Sequence, residues 1–169
     1  KMISTGSRHL LYLRNGSEIS GETLKRGKGF KSYCDAHGVC CETLNLGDDF
    51  DLVRGKASVE DVLRNFIIYA RKTGKMRYDG IYTSTDLLAI ALLEQMQFLG
   101  VKVPEEVQLV GHDGMQWMNS GKYLVSTIVQ PVPDMARKAV ELLLKKIKGE
   151  EIETLTILPV EFAEGGTTR

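Results

Sequence analysis

The chain has 169 residues, 43% hydrophobic and 26% charged: enough apolar sequence to bury one core, and too much for a disordered segment. Its 22 basic and 22 acidic residues cancel to a formal net charge of +0, which excludes the basic footprint of a chain that grips nucleic acid by itself. No apolar run approaches the roughly 20 residues of a membrane span, and Lys1 to Gly6 has no signal-peptide core.

In chain order, His9 to Leu13 reads as a short strand that stops at Asn15-Gly16-Ser17. Thr23 to Cys34 follows as a helix with Leu24, Phe30 and Tyr33 on one side; Gly27 and Gly29 weaken it by roughly 1 kcal/mol each and point to close packing. Val39 to Leu44 is the second strand, and Gly47 to Asp51 a loop. Ser58 with Asp61 three residues later resembles a capping box for a helix over Val59 to Lys72, whose stripe is Val62, Leu63, Phe66, Ile67 and Ala70. Gly80 to Tyr82 and Val107 to Val110 are two apolar strands that each break off into small polar residues. Between them, Leu87 to Leu99 carries a helical repeat at Leu88, Ala91, Leu92, Met96 and Leu99. The alternation predicts a parallel sheet covered by helices, with Thr85, Asp86, His112 and Asp113 at its carboxyl edge, where open α/β folds bind ligands. The tail differs: a strand over Tyr123 to Val129, an amphipathic helix over Asp134 to Lys148, and a last strand over Ile157 to Phe162 with Pro159 at an edge or bulge.

Few residues suggest chemistry. Cys34, Cys40 and Cys41 lack a CxxC spacing, and His9, His37 and His112 form no ligand pattern, so free thiols in a reducing, cytoplasmic setting are expected, with no metal and no cofactor. The Lys25-Arg26-Gly27-Lys28-Gly29 run has neither phosphate-loop spacing. Arg26 is either a solvated charge or a planar donor for vicinal hydroxyls or a carboxylate. Asp86 reads as a helix cap beside Thr85. Asp113, acceptor-only at a strand end, complements Arg26. His112 and Asp113 are adjacent on an extended chain and point to opposite sides, and no GxSxG elbow is present, so hydrolytic catalysis is not expected. Phe50 and Trp117, in loops at the same edge, either stack on an apolar sugar face or cap the core.

Taken together, Asp79-Gly80-Ile81 to Asp86, Gly100-Val101-Lys102-Val103-Pro104, Val110-Gly111-His112-Asp113, Thr127 to Pro131, Leu158-Pro159 and the terminal Gly-Gly-Thr-Thr-Arg resemble the effector-binding domain of the LacI/GalR family of bacterial transcription repressors. Arg26 with Gly29-Phe30 and the Gly6 to Leu10 entry extend the likeness over nearly the whole chain. The resemblance implies an α/β fold: a three-layer, Rossmann-like parallel sheet with helices on both faces, of the periplasmic binding protein type, class I, and mainly its C-terminal subdomain. Residues 9–128 and 157–169 would form that subdomain, while residues 129–156 would be a strand-helix excursion belonging to the N-terminal one. The DNA-binding headpiece would lie outside this chain. The resemblance further implies a cytoplasmic homodimer that senses a sugar-like effector and meets operator DNA only through the headpiece. Arg26, Phe50 and Asp113 then match effector contacts. Thr85 stands where the family usually has asparagine, and Gly114 where many members have aspartate, so the effector is expected to differ. A periplasmic sugar-binding protein of a transporter is the alternative; a small α/β enzyme and a nucleotide binder are weaker rivals, lacking a nucleophile-base pair and a glycine fingerprint.

Overall fold

The computed structural model describes residues 1–15, 21–49, 58–72, 74–115 and 122–169. Alternation decides the layers. In β1 (His9–Arg14), Leu11 and Leu13 point into the main core, while Leu10 and Tyr12 point to the other side of the sheet. The main core is closed by α3 (Val59–Ala70) and α4 (Asp86–Phe98), the second face by α1 (Gly21–Ala36), so the sheet is covered on both sides. The strands run β2 (Cys40–Asn45), β1, β5 (Gly80–Thr83), β6 (Gln108–Asp113), β7 (Ser126–Val129) and β8 (Glu161–Ala163). The first five are parallel, in register Leu10↔Gly80, Gly80↔Gln108 and Val110↔Ser126, and β8 is an antiparallel edge strand on β7. Strand order reverses between β1 and β5, the switch point where connections leave on opposite faces and open a crevice.

The stripe expected on α3 is buried at all five positions, each large side chain contributing about 1.5–3 kcal/mol. Ser58 is its N-cap, accepting from Asp61 N–H at 3.1 Å and donating to the Asp61 carboxylate at 3.0 Å. Its end departs from expectation: the helix stops at Ala70, because Arg71–Lys72 pair antiparallel with Lys75–Met76 (β3 and β4) across a positive-φ Gly74. α4 buries Ala89 and Leu93 besides Leu88, Leu92 and Met96, so it is apolar over more than one stripe, while Ala91 and Leu99 are only half-buried.

Further departures lie elsewhere. Leu46–Asp49 form a short helix, α2, where a loop was expected. In α1 only Cys34 is buried; Leu24 and Tyr33 stay exposed and Phe30 packs on the rings of Tyr12 and Tyr82. One of its glycines explains the contact: a Cβ at Gly27 would sit 2.9 Å from the Tyr12 ring, whereas Gly29 faces open space. β7 begins at Ser126, with Tyr123 making only an isolated bridge to Gly165, and Pro159 precedes β8 rather than lying in it. Cys34 packs with Leu10 and Val39 as a small hydrophobe. The amphipathic helix α5 (Val132–Ile147) has no buried residue, and Val140, Leu143, Leu144 and Ile147 are all exposed.

β6 crosses α4 at its closest at Gly111, where an added Cβ would come within 2.3 Å of an Asp86 carboxylate oxygen and 3.3 Å of Ala89. Gly111→Ala should therefore destabilise the fold by about 1–3 kcal/mol, read as a lower midpoint in urea unfolding; an unchanged midpoint would mean that α4 is not seated this closely on the sheet.

Candidate functional site

The carboxyl edge at the switch point is built around one arginine. Arg26 projects from the second turn of α1, donates from Nη1 to the Ser84 carbonyl at 2.9 Å, and places Nη2 3.8 Å from Asp113 Oδ1. A guanidinium fixed at one end by a backbone carbonyl keeps its other donors oriented. Both side chains are about a quarter exposed, 24% for Arg26 and 25% for Asp113, so neither is a freely solvated charge.

Asp113 ends β6 with φ 107°, a left-handed conformation uncommon for any residue but glycine. Gln130 holds it there, donating from Nε2 to Oδ1 at 2.7 Å and from its backbone N–H to the Asp113 carbonyl at 3.3 Å. Oδ2 is left without a partner among the described residues. Burial pushes the carboxyl above its ordinary range, against the pull of Arg26. Both His112 and Asp113 feel the Arg26 charge. Gly114 follows at φ 73°, with a hypothetical Cβ 2.8 Å from Val129, which is why aspartate has no place there.

His112 is 8% exposed and accepts or donates one contact, between Nδ1 and the Tyr82 hydroxyl at 2.6 Å. Burial first, and Arg26 second, lower its pKa to about 4, so the ring is neutral at neutral pH. Arg26, His112 and Gln130 line a cleft of about 490 Å³, whose far wall is Met135 and Leu142 of α5 with Leu158.

The expected capping is reversed. Thr85, not Asp86, is the N-cap of α4, its hydroxyl oxygen accepting from Leu88 N–H at 3.2 Å. Asp86 is buried one position further on, where it accepts from the Thr127 hydroxyl at 2.5 Å and from Met115 N–H at 2.9 Å. Thr85 makes no hydrogen bond to Arg26, His112 or Asp113, and its hydroxyl proton has no acceptor among the described residues. Phe50 and Trp117 lie outside the described residues. The structure thus brings Arg26 together with Asp113 and with His112, which the sequence had placed at the same edge, and adds Gln130, which sequence reading had not named as a site residue; Thr85 follows Ser84, whose carbonyl holds Arg26. The signal for Gln130 was its position just past a strand end, before Pro131. Among the described residues no group of three His, Cys, Asp or Glu side chains could hold a metal, and no helix is long and apolar enough to cross a membrane.

The buried imidazole has a consequence for acid stability. The unfolded chain takes up a proton on His112 near 6.5 and the folded chain only near 4, so folding stability falls as pH drops through that window, by ~3 kcal/mol at most. Asp113, with its raised carboxyl, acts in the opposite direction at the acid end. Urea unfolding of the wild type and His112→Phe between pH 4 and 7 separates the two effects. The variant is expected to give the flatter curve, and parallel curves would show that the ring is not held neutral.

The profile of the periplasmic binding protein-like domain matches residues 1–168. The sucrose operon repressor of Streptococcus mutans is 26% identical over 160 residues, 95% of this chain and 46% of that protein. The ribose operon repressor of Bacillus subtilis is 37% identical over 92 residues, 54% of this chain and 28% of its own length. The crystal structure of a periplasmic binding protein/LacI transcriptional regulator from Alkaliphilus metalliredigens, complexed with D-xylulofuranose, is similar at TM-score 0.74 and 26% identity, over 99% of this chain and 59% of that one. The chain spans about half the length of the curated relatives it matches along most of its own. It belongs to the periplasmic binding protein-like domain family, in the form found in LacI/GalR regulators.

Proposed function

We propose that this chain is part of the effector-sensing domain of a sugar-responsive transcription regulator. The observation that carries this reading is the Arg26–Asp113–Gln130 cluster at the switch point: fixed donors on one side, a free carboxylate oxygen on the other, in a partly buried setting. Such a set complements adjacent hydroxyls, each of which accepts from one group and donates to another. Two relatives are named as repressors of sucrose and ribose operons, and a solved relative holds D-xylulofuranose, which favours a sugar. Repressors among the relatives also favour a regulator over the sugar-binding protein of a transporter and over an enzyme.

In this reading residues 9–128 and 157–169 form the C-terminal subdomain, and residues 129–156 pass to an N-terminal one that closes over the same edge. The exposed apolar side chains of α5 then belong against that subdomain's core. The sugar stabilises one hinge state, and a homodimeric, cytoplasmic protein with a DNA-binding headpiece reports it as a change in operator affinity. Arg26, Asp113 and the spare hydroxyl proton of Thr85 contact the effector. Phe50 is the stacking aromatic in the same reading.

In a thermal-shift screen of the full protein its gene encodes, against sucrose, D-ribose and D-xylulose, at least one sugar should raise the melting temperature. Arg26→Ala and Asp113→Ala should each weaken binding of that sugar about tenfold or more. An unchanged response in both variants would remove these residues from the site.

A further inference from the structure

We infer that His112 is a ligand-contacting residue in this same cleft, donating a hydrogen bond from Nε2–H to an oxygen of a neutral polyol, and that Tyr82 is the positioning residue that fixes its tautomer. The inference rests on the sugar-sensing reading above and adds to it a donor and a reason for its geometry.

The 2.6 Å contact between the Tyr82 hydroxyl and His112 Nδ1 allows two placements of its proton. Either the phenol donates to a bare Nδ1, or a protonated Nδ1 donates to the phenolic oxygen. In the second arrangement the Tyr82 hydroxyl would still have its own proton to place, and no other acceptor lies within its reach among the described residues. The Tyr82 ring is half-buried against the rings of Tyr12, Phe30 and His112, so a phenol proton donated to Nδ1 is better met than one left pointing away from it. The first arrangement satisfies both partners. Tyr82 therefore donates, Nδ1 accepts, and the single ring proton of the neutral imidazole resides on Nε2.

That proton has no acceptor among the described residues, although the ring is 8% exposed and lines the 490 Å³ cleft with Arg26 and Gln130. A ring donor on a largely buried histidine that lines a cleft beside a guanidinium cannot be answered by a cation. Asp113 already balances the Arg26 charge, which removes the advantage an anion would have. What remains is a neutral oxygen: one hydroxyl accepting from His112 Nε2–H, with a neighbour accepting from Arg26 and donating to Asp113 Oδ2. Two donors and one acceptor in this order fit a pair of adjacent hydroxyls. The tautomer is essential to the fit, because the other one would present a bare nitrogen to the cleft and select a donor instead.

Two experiments test this, the first without ligand. Long-range ¹H–¹⁵N spectra of the His112 ring in the free protein at pH 7 should show one protonated nitrogen, Nε2, and one bare nitrogen, Nδ1; in Tyr82→Phe both tautomers should appear. A wild-type ring protonated at Nδ1, or already a mixture, overturns the assignment. The second titrates sucrose, D-ribose and D-xylulose into the full protein by calorimetry. His112→Phe should bind the preferred sugar about tenfold more weakly, His112→Gln, which restores an N–H near the Nε2 position, should recover most of the loss, and Tyr82→Phe should fall between. If His112→Phe binds like the wild type while Arg26→Ala and Asp113→Ala lose binding, the His112 contact is wrong and the site stands. If all five variants bind like the wild type, the site itself is wrong. Binding of none of the three sugars overturns the polyol class.

Discussion

One buried carboxylate sets the geometry on which the rest of this edge depends. Asp86, 3% exposed at the start of α4, takes a hydrogen bond from the Thr127 hydroxyl on β7 and another from Met115 N–H in the turn after β6. It also lies against Gly111, where no side chain would fit. A helix start, two strands and a turn are thereby tied to one group whose burial is tolerable only because its oxygens are met by donors. The turn held in this way follows Asp113, which is at positive φ and lies 3.8 Å from Arg26 Nη2.

From that clamp the functional arrangement follows in steps. The strand order reverses between β1 and β5, which leaves a crevice above their ends. α1 crosses it closely because Gly27 lets Tyr12 approach, and this brings Arg26 within reach of the Ser84 carbonyl. On the same face Tyr12, Phe30 and Tyr82 form an apolar floor, and His112 borders it with one nitrogen engaged. Asp113, its backbone out of the strand conformation, keeps a charged acceptor beside Arg26, and the neutral ring of His112 feels the same guanidinium. Strain at Asp113 is maintained by Gln130, which grips both its carboxylate and its carbonyl.

Periodicity made the parallel sheet, the α3 stripe and the ligand edge readable from sequence, since each depends on residues close in the chain. The Ser58 cap was readable for the same reason. What escaped was set by contacts between distant segments. The exchange of roles between Thr85 and Asp86 depends on Thr127 and Met115, and nothing in the local pattern distinguishes a cap from a residue buried one step later. Gly114 looked like a lost aspartate until its φ and the nearness of Val129 were known. The burial of only Cys34 on α1 and the early end of α3 at a small hairpin are tertiary outcomes that propensity does not encode. Arg26 and Asp113 could be nominated from sequence by charge and strand position; Gln130 and the Tyr82–His112 pair required coordinates, because their partners lie 17 and 30 residues away.

The most direct measurement is operator-DNA affinity of the full protein with and without the sugar that binds it, in the wild type and in Asp113→Ala, together with sugar affinity with and without operator. A sensing edge predicts that the sugar changes wild-type operator affinity by some factor, that operator changes sugar affinity by the same factor, and that the Asp113 variant loses this coupling at sugar concentrations that saturate the wild type. Sugar binding that depends on Asp113 but leaves operator affinity untouched would contradict it.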